Sequence, residues 1–128
     1  MRTIVVILSA VLAITGLLVG FGGTLGLEQP VTRALSLVHY WGGLLFLVMF
    51  PLYAWDHIRA NRHWLTRLRL TTVSGVLQTV AAVLLMLSGL LLIAYGVAAW
   101  QVARQIHHWL TYLLAGALLA HYLARKDG

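Results

Sequence analysis

The chain has no cysteine, only two prolines, and just three acidic side chains, Glu28, Asp56 and Asp127, in 128 residues. Without cysteine there is no disulfide, no thiolate-bound metal and no iron–sulfur ligation. Charge of either sign is scarce, at 9% of residues against 61% hydrophobic. A soluble domain carries roughly 25% charged residues, because its surface must face water. A secreted domain, a soluble-enzyme fold and a nucleic-acid reader are therefore excluded, in spite of a net charge of +6.

The few charges are also segregated. Residues 3–27, 34–55, 70–103 and 105–124 contain none, giving runs of 25, 22, 34 and 20 residues. About 20 apolar residues cross a hydrocarbon core of roughly 30 Å. The pattern predicts an all-α membrane protein. It is expected to form one domain over 1–128, a four-transmembrane-helix bundle with spans near 3–27, 34–57, 72–97 and 104–124. Arg2 followed by an apolar stretch and Ser9-Ala10-Val11-Leu12-Ala13 has the outline of a signal peptide. The apolar run continues to Leu27, however, so a retained helix is expected.

Where the charges fall sets the orientation. Of the nine basic residues, Arg2, Arg59, Arg62, Arg67, Arg69, Arg125 and Lys126 lie on one side of a four-span topology. Only Arg33 and Arg104 lie on the other. The positive-inside rule then places both termini in the cytoplasm and the 27–33 and 97–104 connections outside. The basic excess is an orientation and lipid-headgroup signal, and no nucleic-acid partner is expected. Trp41, Trp55, Trp64, Trp100 and Trp109 cluster near the span ends, as an interfacial aromatic belt would.

Two motifs recur in the same order. Thr15-Gly16-Leu17-Leu18, running to Gly23, resembles Ser88-Gly89-Leu90-Leu91, running to Gly96. Val38-His39-Tyr40-Trp41 likewise resembles Ile106-His107-His108-Trp109. The chain therefore reads as two parallel two-helix repeats, 1–66 and 72–128, the first with about five extra loop residues including Gly26, Glu28 and Pro30. Gly16, Gly20 and Gly23 share one helical face, and Gly75 and Gly89 another. Such stripes let transmembrane helices pack closely, or make room for a flat cofactor. Both readings stay open, with Gly16 and Gly89 as candidate cofactor-lining positions.

Polar side chains inside a span are costly and usually functional, which singles out the histidines. His107 and His121 are 14 residues apart, on one helical face and separated by about 21 Å. His39 and His57 are 18 apart, again on one face, at about 27 Å. The repeat sets His39 level with His107 near the outer surface, and His57 falls near His121 at the inner one. A haem iron takes two axial ligands from opposite sides of its plane, and imidazole suits it. Two haem b groups are expected, the outer on His39 and His107, the inner on His57 and His121, with His63 in reserve. Arg33 and Arg104 at the outer level, and Arg59 and Arg125 at the inner, are candidate partners for haem propionates. No residue is expected to be catalytic. His108 points about 100° away from His107 and reads as interfacial or as part of a quinol site. Gln78, His63, His108 and Asp56 are the other polar candidates for quinone.

These residues resemble the dihaem membrane b-type cytochromes, a group that includes the gamma subunit of respiratory formate dehydrogenase and the cytochrome b of membrane-bound nickel–iron hydrogenase. The match is best from Ser88-Gly89-Leu90-Leu91 through His107-His108-Trp109 to His121, where one helix of that family ligates both haems. The resemblance implies His107 on one haem and His121 on the other. It also implies electron exchange between membrane quinone and a redox partner protein or larger oxidoreductase complex, in a bacterial inner membrane. Larger relatives often take a ligand from their first helix, which here has no histidine, so both remaining ligands must come from the second span. The loops are too short to hold a catalytic domain. Two other classes compete: a cofactor-free membrane anchor or scaffold, and a small proton-coupled transporter using its histidines as relays.

Overall fold

A computed structural model describes residues 1–64, 69–96 and 100–126. The regular elements among the described residues are all helical: α1 (Arg2–Gly20), α2 (Gln29–Asn61), a single 3₁₀ turn (Arg62–Trp64), α3 (Leu70–Tyr95) and α4 (Gln101–Lys126). The chain divides into two compact units, Met1–Trp55 and Asp56–Gly128.

In the first unit α1 stops at Gly20, seven residues short of the end of the uncharged run. Glycine, not charge, ends it. The Phe21 amide still donates to the Leu17 carbonyl at 2.9 Å, and the chain then turns through Gly22, Gly23 and Gly26. Gly26 has φ of +64°, a left-handed conformation that side chains with a Cβ resist. The Leu27 amide closes the turn onto the Gly22 carbonyl at 2.9 Å. Pro30 then falls in the first turn of α2, where a missing N–H costs no helical hydrogen bond.

α2 is longer than its uncharged run, extending over Arg33 at one end and over Asp56 and Arg59 at the other. Its 33 residues correspond to about 50 Å. Pro51 sits within it, beside the stacked and buried rings of Phe46 and Phe50, whose centroids are 5.0 Å apart. α1 and α2 are antiparallel: Thr15 meets His39 while Leu12, three residues earlier, meets Gly42, three residues later.

In the second unit α3 and α4 pair antiparallel along their length. Ser88 meets His107, Gln78 meets Ala117, and Ser74 meets His121, a constant register over four turns. The interface is built from small side chains, with Ser74, Ala81, Ala82 and Ser88 buried on α3 and Ala103 and Ala117 on α4, which permits close approach of the backbones. Gly96, at φ +80°, ends α3 with its amide on the Leu92 carbonyl.

Four spans are expected from the charge-free runs; three described helices, α1, α2 and α3, are long and apolar enough to cross a membrane. α4 has the length, but Gln105, His107, His108, Thr111 and His121 lower its hydropathy. Two of them, His107 and His121, carry the candidate site.

Candidate functional site

The chain contains three Ser/Thr–Gly dipeptides, Thr15-Gly16, Ser74-Gly75 and Ser88-Gly89. Each seats one histidine from the next helix. The Thr15 hydroxyl lies 3.1 Å from Nδ1 of His39, the Ser74 hydroxyl 3.1 Å from Nδ1 of His121, and the Ser88 hydroxyl 2.8 Å from Nδ1 of His107. The glycine that follows leaves room for the ring. A Cβ at Gly16 would stand 2.8 Å from Cε1 of His39, at Gly89 3.5 Å from Cε1 of His107, and at Gly75 3.8 Å from Cε1 of His121. Backbone carbonyls join in at two seats: Leu12 O lies 3.1 Å from Nδ1 of His39 and Thr71 O 3.1 Å from Nδ1 of His121.

Local sequence explains why the hydroxyls are in place. Thr15, Ser74 and Ser88 are buried, and a buried hydroxyl in an apolar helix satisfies itself by donating to the carbonyl four residues back. The bonds to Val11, Leu70 and Leu84 are 2.7, 2.7 and 2.8 Å. The same oxygen also faces the neighbouring helix, within hydrogen-bond distance of the histidine opposite. Among the described residues no buried side-chain nitrogen or oxygen lacks a partner.

Two of the three seats have the same construction on one helix pair. Ser74-Gly75 and Ser88-Gly89 are 14 residues apart on α3, as are His107 and His121 on α4. The seated imidazoles therefore stand at two levels, about 21 Å apart along the helix. All three seated rings are half-buried.

The remaining expected site residues are placed differently. His57 is exposed on the last turns of α2, and its carbonyl accepts from the Asn61 amide at 2.8 Å. No Ser/Thr–Gly dipeptide holds it, since the three seat His39, His107 and His121. His63 is exposed in the 3₁₀ turn. Arg33 and Arg59 are exposed, and Arg104, also exposed, donates from Nη2 to Oε1 of Gln101 at 2.8 Å. The side chain of Arg125 lies outside the described residues, as does Arg67. Gln78, a candidate for quinone, instead ties α3 to α4 by donating from Nε2 to the Ala117 carbonyl at 2.9 Å. His108 faces Tyr112, with Nε2 3.0 Å from the phenol oxygen and the rings edge to face. Asp56 is exposed.

The histidine partners escape a reading based on histidines alone. Their signal is a second recurrence at the same interval, Ser-Gly repeated at 14 residues opposite His repeated at 14.

Among the described residues no three His, Asp or Glu side chains gather to hold a metal ion. An axial haem ligand needs no such group: it needs one imidazole whose Nδ1 is anchored and whose Nε2 points to the iron. His39, His107 and His121 have the anchored Nδ1, and the donor set fits haem in that respect. No protein family, no curated protein and no solved structure matches the chain.

Proposed function

We propose that the protein is a membrane-embedded dihaem b-type cytochrome, which carries electrons across the bilayer between quinone and a redox partner protein. One observation carries the proposal: histidines held at two levels of one helix pair by the same Ser–Gly seat, with a third histidine seated alike on the first pair. His39 and His107 would ligate the outer haem and His121, with His57, the inner one. Bound haem supplies one-electron chemistry; the protein supplies ligand orientation, a dry surrounding and spacing.

A membrane setting is supported by three helices of spanning length and by many exposed large apolar side chains, among them Ile7, Val48, Leu87 and Leu119. A soluble monomer rarely exposes so many large apolar side chains. α4 would be the fourth span, with His107 and His121 turned to α3. The basic excess at the termini and at 59–69 then faces the cytoplasm of a bacterial inner membrane. Arg33 and Arg104 at the outer level, and Arg59 and Arg125 at the inner, would meet haem propionates. Gly16 and Gly89 admit the ligand rings.

One observation favours a second reading, a cofactor-free anchor. The same histidine bonds, with Gln78 on Ala117, tie each helix to its neighbour, and such ties stabilise a hairpin by about 0.5–1.5 kcal/mol each whether or not a cofactor binds. A reduced-minus-oxidised difference spectrum of purified protein separates the two. The cytochrome shows the bands of six-coordinate haem b, whereas an anchor from haem-replete cells is colourless.

A further inference from the structure

We propose that Thr15, Ser88 and Ser74 are positioning residues which fix the tautomer of the three seated histidines and, granted the cytochrome reading above, set the reduction potentials of the haems: Thr15 and Ser88 those of one haem, Ser74 that of the other. A hydroxyl has a single hydrogen, and at each seat it is directed back along its own helix, to Val11, Leu70 or Leu84 within 2.8 Å. Secondary contacts to Leu12, Thr71 and Leu85 at 3.3, 3.2 and 3.1 Å draw it the same way. Only lone pairs remain for the histidine, so Nδ1 carries the hydrogen and donates it.

The carbonyls give an independent check. Leu12 O and Thr71 O can only accept, and each lies 3.1 Å from the same Nδ1. At these two seats a lone pair on Nδ1 would face two acceptors. The neutral ring must therefore be the Nδ1–H tautomer, with its lone pair on Nε2. That is the nitrogen a metal ion would take.

A ligand whose N–H is drawn toward an acceptor becomes more electron-donating. It favours the oxidised, more positive iron and lowers the potential. Removing the hydroxyl weakens that pull and raises the potential. At His39 and His121 the carbonyl stays in place, so the tautomer survives the change and only its strength is altered. The adjoining glycine lets the ring lie against the helix within reach of the hydroxyl.

Potentiometric titration of the full chain, wild type against Thr15→Ala, Ser88→Ala and Ser74→Ala, tests the potentials. Thr15→Ala and Ser88→Ala should raise the midpoint of the same haem component and leave the other in place. Ser74→Ala should raise the second component alone, and Ser74→Thr and Ser88→Thr should return each midpoint toward wild type. Loss of one haem in an alanine variant, regained in the threonine variant, supports the same assignment; loss that threonine does not mend overturns it. Unchanged midpoints at full haem content overturn it too, while leaving the cytochrome reading intact. The tautomer is tested without haem, by ¹⁵N NMR of the histidine-labelled full chain. Nδ1–H signals from His39, His107 and His121 are expected, and Nε2–H signals would overturn the assignment whatever the protein binds.

Discussion

His107 and His121 meet α3 through the same construction, each with Nδ1 on a buried serine hydroxyl and its ring against the glycine that follows, at 2.8 Å for Ser88 and 3.1 Å for Ser74. Two seats of one design, four helical turns apart, give α4 an anchored imidazole at each level from a single register with α3. The register is itself locked between them by Gln78 on the Ala117 carbonyl.

Individual ligand substitutions should separate the haems. His107→Ala and His39→Ala are expected to abolish the same spectral component, and His121→Ala and His57→Ala the other. Difference spectra of the four variants, with helix content checked by circular dichroism, decide this. If His57→Ala retains both components while His63→Ala loses one, the inner ligand is His63.

The glycines of the seats should not tolerate alanine equally. The Cβ of Gly16→Ala would stand 2.8 Å from Cε1 of a ring held by two hydrogen-bond acceptors, so His39 must move or its bonds lengthen. At Gly89 and Gly75 the distances are 3.5 and 3.8 Å, ordinary van der Waals contact. Gly16→Ala should therefore lose about 1–3 kcal/mol by overpacking and perturb the component assigned to His39. Gly75→Ala should leave the spectrum unchanged and cost no stability, since its helical φ favours alanine. Thermal unfolding in detergent, followed alongside the spectrum, reads both effects.

Absence of cysteine makes orientation straightforward to measure. In an otherwise cysteine-free chain, Glu28→Cys should react with a membrane-impermeant maleimide on intact cells, and Arg62→Cys only after lysis. The reverse pattern would invert the topology and place the basic cluster outside.

Gly26 closes the turn between α1 and α2 at φ +64°, so Gly26→Ala should cost about 1–2 kcal/mol. Gly43→Ala is the control, since a Cβ there meets nothing within 4 Å and its helical φ favours alanine. Unfolding midpoints of the two variants should move in opposite directions.

The helices were legible in the sequence because charge is expelled from apolar spans, but their ends were not. Backbone hydrogen bonding does not stop at a charge, so α2 runs on over Arg33, Asp56 and Arg59. Nor does an uncharged run guarantee helix, and the glycines after Gly20 end α1 early. Spacing and the repeat singled out His39, His107 and His121, but they singled out His57 equally, and no Ser/Thr–Gly seat holds it. The hydroxyl partners of the seated histidines were not legible, because a serine in an apolar helix can satisfy itself on its own backbone. Only the inter-helix register shows that the same oxygen also serves His107 or His121.

Two haems on one four-helix chain would be counted by the haem-to-polypeptide ratio of purified protein. Pyridine haemochrome analysis against quantitative amino-acid analysis should give two haems per chain, falling to one in His107→Ala and one in His121→Ala. A ratio near zero in protein from haem-replete cells, or a ratio unmoved by either substitution, would rule out two haems held by these histidines.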